Sequence, residues 1–242
     1  MKKRLATLAA ISFAALLCSC NNSADTTKDN AQDTTKAKDT AVTPAVAVKP
    51  AFTPFDVVEI EHSVKDYGKW RPGFDNDSVA RKENGLTYIV VGREMDKPNN
   101  LLVVLNVADV KKAKDFAASP RLKEVMTKNG VNSKPVISYY HVIRFNPDAN
   151  EKKWVIVTHK VKDFDAWLKV FDGEGSDARA AQGLYDVAVA RGVDDPSLVH
   201  LVFDIKDLAK AKASILSTEK KKLMLSAGVE GSPKIQFFNS TE

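Results

Sequence analysis

Two histidines, His62 and His159, end predicted β-strands and are the first candidates for chemistry in this chain. Imidazole titrates close to neutral pH, so each could act as an acid or a base in a pocket. Apolar residues alternate before each histidine, which places the histidine on the same strand face as those residues. The alternative, which we favour, is a structural histidine bonded to a backbone group under the following helix.

Two arginines, Arg81 and Arg179, also occupy matching positions, late in a predicted helix. A pair of guanidinium groups could clamp an anion. A solvated arginine, or one paired with a carboxylate, is the simpler expectation. Arg93 and Arg191 each close a later strand beside a turn, and we expect them at the surface.

Aromatic pairs recur four residues apart, with Trp70 before Phe74 and Trp167 before Phe171. Residues at this spacing share one face of a helix. We expect that face to pack against a sheet as core. The alternative is an aromatic wall for a flat organic ligand.

A third histidine, His200, shares one predicted strand with Asp204. The alternate residues of this strand are apolar and form its other face: Val199, Leu201, Phe203 and Ile205. If the apolar face packs under helices, His200 and Asp204 point to the opposite side of the sheet. Comparable positions on other strands hold Glu59, Glu61 and Asn106. These polar groups form no recognised catalytic triad or metal set.

Composition and motif content argue against several functional classes. The four histidines lie on separate predicted strands without metal-ligand spacing, and both cysteines fall within residues 1–20, so we predict no metal site. No phosphate-binding loop or nucleotide fingerprint appears, and we expect no cofactor. The formal charge of +5 falls to about +2 once the basic leader is removed, so nucleic acid is not an expected partner. We expect the basic run at 220–222 to be a solvated helix face.

The elements that must position these residues come in two copies. The segment 62–67, His-Ser-Val-Lys-Asp-Tyr, returns at 159–164 as His-Lys-Val-Lys-Asp-Phe, and matches continue to Pro135 and Pro233 with one inserted residue. Each copy indicates strand, helix, strand, strand, helix, strand, with aspartates and glycines at helix ends. Such a βαββαβ unit is the ferredoxin-like arrangement, whose sheet carries helices on one face. We predict halves at 51–147 and 148–242 that pack sheet to sheet.

A resemblance to a known superfamily rests on three segments. The first is the run from His159 to Phe171, which reads His-x-Val-x-Asp-aromatic-x-x-Trp-x-x-x-Phe and recurs in the first copy. The other two are the Asp-Asp-Pro at 194–196 and the Ala-Gly-Val at 227–229. They resemble the dimeric α/β-barrel superfamily, within it small proteins labelled antibiotic-biosynthesis-monooxygenase-like or "cyclase". The resemblance implies an α+β fold, two ferredoxin-like units forming a pseudo-dimeric α/β barrel. Relatives are typically single units that dimerise, whereas this chain carries both halves, so we expect a monomer with pseudo-twofold symmetry.

The N-terminal region predicts export and a lipid anchor. Residues 1–19 have a basic start, an apolar run and small residues, as in a secretory signal. The end of this run, Leu-Cys-Ser-Cys, resembles a bacterial lipobox, which makes Cys20 the expected lipidated residue. Residues 20–50 are polar and lack aromatics, so we expect a disordered tether. The expected location is the bacterial cell envelope, with the outer membrane favoured and the membrane contacted through lipid alone.

These observations support three functional hypotheses. The leading one is a lipid-anchored envelope protein that binds a small organic molecule between its two sheets. The resemblance adds a second, a cofactor-independent monooxygenase or isomerase with His62 or His159 as base. The third is a structural or protein-interaction module of the envelope with a solid core.

Overall fold

The computed structural model describes residues 52–150 and 152–241, and within them the same series of elements occurs twice. The first half contains β1 (Phe55–Ser63), α1 (Tyr67–Asn76), α2 (Ser78–Glu83), β2 (Leu86–Glu94), β3 (Asn100–Val107), α3 (Val110–Ala117), α4 (Pro120–Lys128) and β4 (Val136–Phe145). The second half contains β5 (Lys153–Val161), α5 (Phe164–Glu174), α6 (Ser176–Ala181), β6 (Leu184–Gly192), β7 (Leu198–Ile205), α7 (Leu208–Ile215), α8 (Thr218–Ser226) and β8 (Val229–Ser240). The predicted division at 147/148 lies in the connection between β4 and β5.

The predicted helix starts are confirmed at the level of single hydrogen bonds. Four aspartates each accept a hydrogen bond from the backbone N–H three residues later, at 2.8–3.1 Å: Asp66, Asp109, Asp163 and Asp207. A side-chain oxygen at this position replaces one of the missing intrahelical acceptors. The first predicted helix of each half is in fact two helices, which meet at Asp77 in the first half and at Gly175 in the second.

The strands form one closed antiparallel barrel. Each half contributes a sheet in the ferredoxin-like order, β4-β1-β3-β2 and β8-β5-β7-β6. The sheets are joined at two seams, where β2 pairs with β8 and β4 pairs with β6. The predicted fold class is therefore confirmed. Its two sheets are hydrogen-bonded edge to edge as well as facing each other, which leaves no open sheet edge.

Strand alternation divides the apolar side chains between two environments. One set faces the helices outside the barrel and forms a core in each half, around Trp70 and Phe116 in the first and around Trp167 and Phe203 in the second. The other set fills much of the barrel interior: Val57, Leu102, Tyr140, Val142, Trp154, Ile156, Ala190 and Phe238. Among the described residues, no helix is both long and apolar enough to cross a membrane.

Candidate functional site

The first candidate site is a cavity between β1, β3 and the helices of the first half, which we call the first-half pocket. Its volume is about 80 Å³. One water molecule needs about 10–15 Å³, so the cavity has room for more than one. Its walls are almost entirely apolar and include Ile60, Val103, Phe116, Leu122, Val125 and Met126. Four of the residues predicted from sequence meet there: His62, Trp70, Phe74 and Arg81.

His62 lies buried in this pocket, with 6% of its surface exposed, beside the ring of Trp70 at 5.6 Å between centroids. The phase predicted for β1 is confirmed, since His62 shares the helix-facing side with Val58 and Ile60. Neither ring nitrogen has a partner at good hydrogen-bond geometry, although the backbone of Ile60, the kind of partner expected, lies near the ring. Burial lowers the pKa of His62 to about 4, and the backbone of Ile60 acts in the opposite direction with a smaller effect. The imidazole is therefore neutral at pH 7.

Arg81 closes one side of the pocket through an aromatic stack. Trp70 stacks on Phe74 at 4.9 Å, and the Arg81 guanidinium carbon lies 3.7 Å from the centroid of the Phe74 ring. Nη1 of Arg81 donates a hydrogen bond to the Phe74 carbonyl at 2.6 Å. Burial lowers the pKa of Arg81. The expectation of a solvated or carboxylate-paired arginine is wrong here, because helix α2 holds the side chain over the ring and under the helices.

The second-half pocket repeats this geometry on a smaller scale. Its volume is about 50 Å³, and it is lined by the matching residues His159, Trp167, Phe171 and Arg179. His159 also has two unpartnered ring nitrogens. Burial, with a smaller contribution from the charge of His200, lowers its pKa to about 4.

The two pockets differ in how their charges are neutralised. Arg179 donates to both carboxylate oxygens of Asp186, from Nε at 2.8 Å and from Nη2 at 2.5 Å. Glu174 lies 3.7 Å from Nη1 of the same arginine and accepts a hydrogen bond from Lys220. Lys220 is 9% exposed. The expectation that 220–222 is a solvated face is wrong for Lys220, because this position of α8 turns under the helices and finds a carboxylate there.

His200 belongs to a polar cluster inside the barrel that joins the two halves. Its Nδ1 lies 2.9 Å from Thr158 Oγ1, its ring stacks on Tyr140 at 4.1 Å, and its Nε2 lies 3.0 Å from Glu59 Oε1, off the line of a hydrogen bond. Burial raises the pKa of Tyr140. Asp204 is also buried and, four residues further along β7, lies on the same strand face. The predicted inward orientation of His200 agrees with this cluster.

A third cavity, of about 240 Å³, lies at one mouth of the barrel. Its polar wall includes two carboxylates, Glu61 and Glu94. Glu61 accepts hydrogen bonds from Lys234 at 2.6 Å and from Gln236 at 2.8 Å. Glu94 accepts one from Asn100 at 2.7 Å. The carboxylates at this mouth are thus already paired.

Arg93 and Arg191 are structural. Each donates to the carbonyl of a proline in the following turn, Pro98 or Pro196, at 2.7–3.0 Å, and each lies over an aromatic ring. Within residues 52–150 and 152–241, no group of three or more His, Cys, Asp or Glu side chains could hold a metal ion.

Several solved structures share this architecture. A "putative monooxygenase" from Lactobacillus acidophilus NCFM aligns with a TM-score of 0.52 at 13% identity, covering 78% of this chain and 94% of its own. A second "putative monooxygenase", from Fusobacterium nucleatum, gives 0.52 at 9% identity over 78% and 93%. An anthrone oxidase-like protein gives 0.51 at 12% identity over 78% and 92%. The chain has the dimeric α/β-barrel fold.

The likeness to those proteins extends to the fold alone at these identities. No protein-family model matches the chain, and no curated protein matches it. In this dimeric α/β barrel, both halves come from one polypeptide, and eight candidates from the repeat, four in each half, gather into two related pockets.

Sequence reasoning missed three residues of these sites. Lys220 and Glu174 were missed because a charged helix normally faces solvent, although the repeat aligns Lys220 with the pocket residue Leu122. Asp186 was missed because its counterpart, Tyr88, is not a carboxylate. When the two copies are aligned, these residues stand out as differences between the halves, with Lys220 in place of Leu122 and Asp186 in place of Tyr88.

Proposed function

We propose that this protein binds a small, largely apolar organic molecule in the first-half pocket. The observation that carries the proposal is the combination of an apolar cavity with a buried His62 whose two ring nitrogens have no partner. A buried polar group left without a hydrogen bond costs about 1–3 kcal/mol. A ligand with one polar atom beside His62 would remove that cost while its apolar part fills the cavity.

This location differs from the one expected from sequence, which was the space between the two sheets. Side chains such as Trp154, Ile156 and Phe238 occupy much of that space. The cavity at the barrel mouth is the larger by volume, but its carboxylates are paired with neighbouring side chains. The helix side of the sheet therefore offers the better binding site.

Methionine methyl groups allow a direct test. The chain has four methionines, and Met126 lines the first-half pocket while Met224 lines the second. We expect a panel of one-ring aromatic compounds, added to the full-length chain labelled at its methionine methyls, to shift the Met126 resonance. Val125→Trp should fill the pocket and abolish the shift, whereas the matched change Leu223→Trp in the second half should leave it. A Met126 resonance indifferent to every compound would refute the proposal.

A second candidate function is cofactor-independent oxidation of such a ligand. It is favoured by the fold shared with proteins described as monooxygenases and anthrone oxidase-like, and by a neutral His62 that is free to accept a proton at pH 7. Oxygen uptake with any compound that shifts Met126, reduced at least tenfold by His62→Gln with binding retained, would support it. Binding without oxygen uptake leaves a carrier or sensor.

We also propose that the protein is lipid-anchored at the cell envelope through Cys20, which lies outside the described residues. The proposal rests on the lipobox-like Leu-Cys-Ser-Cys segment. Replacing Cys20 with Ser should move the protein from the membrane fraction to the soluble fraction. Cys18→Ser is the matched control and should not. Equal fractionation of the two variants would reject the anchor.

A further inference from the structure

We propose that the cavity at the barrel mouth is a second binding site, which takes a neutral polyhydroxy compound of about the size of a monosaccharide. Its volume is about 240 Å³, compared with about 80 Å³ for the first-half pocket. Drug-sized ligands occupy clefts of about 300–1,000 Å³, so this cavity suits a somewhat smaller molecule. The inference goes beyond the proposed function, because it concerns a different cavity and a different chemical class of ligand.

The lining of this cavity combines buried apolar surface with a set of polar side chains. Leu101 and Phe238, each 2% exposed, supply the apolar part, and the Phe238 ring is held by stacking on Trp154. A polyhydroxy ring offers the same combination, with C–H groups on its faces and hydroxyl groups along its edge. The polar part of the lining includes Glu61, Glu94, Asn100, Ser133, Lys134 and Gln236.

These polar side chains retain hydrogen-bonding capacity after their internal bonds are made. Oε2 of Glu94 accepts a hydrogen bond from Asn100 Nδ2 at 2.7 Å, and neither Glu94 Oε1 nor Asn100 Oδ1 has a partner among the described residues. Gln236 donates through Nε2 to Glu61 at 2.8 Å, and its Oε1 accepts no bond from the part of the chain that the structure describes. Ser133 Oγ accepts from a backbone N–H at 2.8 Å, which leaves its own proton for a ligand. A hydroxyl group needs both kinds of atom, because it donates one hydrogen bond and accepts others.

The charges around this cavity favour a neutral ligand. Lys234 Nζ donates to both oxygens of Glu61, at 2.6 and 2.7 Å. Lys134 also lines the cavity, so its ammonium and that of Lys234 balance the two carboxylates. A site without net charge gives an ion no overall electrostatic gain. Hydroxyl groups, in contrast, form strong hydrogen bonds to a carboxylate without carrying a charge themselves.

The second half shows that the fold does not require this polar set. Glu94 pairs with Phe238 across the β2–β8 seam, and Gly192 pairs with Tyr140 across the β4–β6 seam, so Glu94 and Gly192 are counterparts. The barrel therefore closes in the second half without a carboxylate at these positions. The other counterparts, identified from strand register in the same way, are Thr158 for Glu61, Leu198 for Asn100 and Ser138 for Gln236.

The side-chain amide resonances of Asn100 and Gln236, recorded on the isotopically labelled full-length chain, test the inference directly. We expect glucose, galactose or mannose to shift both resonances. Cyclohexanol has a ring of the same size with a single hydroxyl group and should bind about tenfold more weakly, a difference of about 1.4 kcal/mol. Free glutamine, a zwitterion of similar size, should also bind about tenfold more weakly.

Two substitutions in the lining test whether these side chains hold the ligand. Glu94→Gln and Asn100→Leu should each weaken hexose binding about tenfold, measured at the Gln236 amide. Asn100→Leu installs the residue that the second half carries at 198, so the strand accommodates it. The matched control is Asn99→Leu, a change at the neighbouring exposed asparagine outside the lining, and it should bind hexoses as the wild type does.

Three results would overturn this inference. They are the absence of any hexose response at both amides, binding of cyclohexanol or glutamine at least as tight as that of every hexose, and an unaltered hexose affinity in both folded lining variants. Each would leave the proposed function in place, because Met126 reports on the first-half pocket separately.

Discussion

Gly92 should be intolerant of even one added methyl group, because Trp154 occupies the space where a Cβ atom would stand. A Cβ at Gly92 would lie 2.4 Å from Trp154 Cζ2, 2.7 Å from Cη2 and 3.2 Å from Phe238 Cβ. Trp154 is itself fixed by stacking on Phe238 at 4.8 Å. Separations below 3.0 Å force the indole or the strand to move.

The expected cost of Gly92→Ala follows from two opposing effects. Overpacking a filled core costs about 1–3 kcal/mol, and the alanine returns about 0.4–1 kcal/mol by restricting the unfolded chain. The net loss in unfolding free energy should be about 1–2 kcal/mol. The equivalent position of the second half is Ala190, which is 1% exposed and already accommodates its methyl group.

Urea unfolding followed by circular dichroism measures this cost. Trp154→Phe removes the atoms that approach Gly92, so Gly92→Ala should cost at least 1 kcal/mol less in that background, a coupling typical of residues in contact. The control Ala190→Gly should be destabilising, since a methyl group is favourable there. A Gly92→Ala protein within about 0.5 kcal/mol of wild type, or additivity with Trp154→Phe, would refute the packing argument.

Three further predictions concern buried charges and titrating groups. The folded pKa of His62, about 4, lies below its unfolded value of 6.5, so the unfolded state takes up the proton first as the pH falls. The free energy of unfolding should therefore fall by about 3 kcal/mol for this group between pH 6.5 and 4. His62→Leu should flatten the pH dependence of the urea midpoint, and an unchanged pH dependence would contradict the assignment. Arg179→Gln removes the two hydrogen bonds to Asp186 and should lose about 2 kcal/mol. Arg81→Gln should lose about 1 kcal/mol. Equal losses would contradict the difference between the two pockets. Glu59→Leu should destabilise the barrel by about 2 kcal/mol. Adding His200→Phe should recover part of that loss, since a phenyl ring can still stack on Tyr140 and has no Nε2 that loses its neighbouring carboxylate. Simple additivity of the two changes would show that the two residues are not coupled.

Local signals in the sequence predicted the fold well. Aspartate caps such as Asp66 depend on a few neighbouring atoms, and the alternation along β7 depends on one strand, so both could be recognised from the chain alone. The repeat then predicted the pairing of two equal halves. The closed seams add hydrogen bonds between β2 and β8 and between β4 and β6, which a hydrophobic pattern does not specify.

The chemistry of the site was harder to predict, because it depends on which buried polar atoms have a hydrogen-bond or ion-pair partner and which do not. Arg81 and Arg179 are equivalent in sequence, yet Asp186 on β6 pairs with Arg179 through both carboxylate oxygens, while the counterpart of Asp186 in the first half is a tyrosine. The unpartnered nitrogens of His62 are likewise a property of the whole environment rather than of β1. Equivalent sequence positions therefore predicted equivalent location, but not equivalent chemistry.

The connection between β4 and β5 changes the way in which the barrel assembles. When two separate chains supply the halves, closure depends on protein concentration and is reversed by dilution. Here each half meets a partner tethered to it by a short segment, and short linkers give effective concentrations on the order of millimolar. Barrel closure should consequently be a first-order event with a rate independent of how many molecules the cell makes.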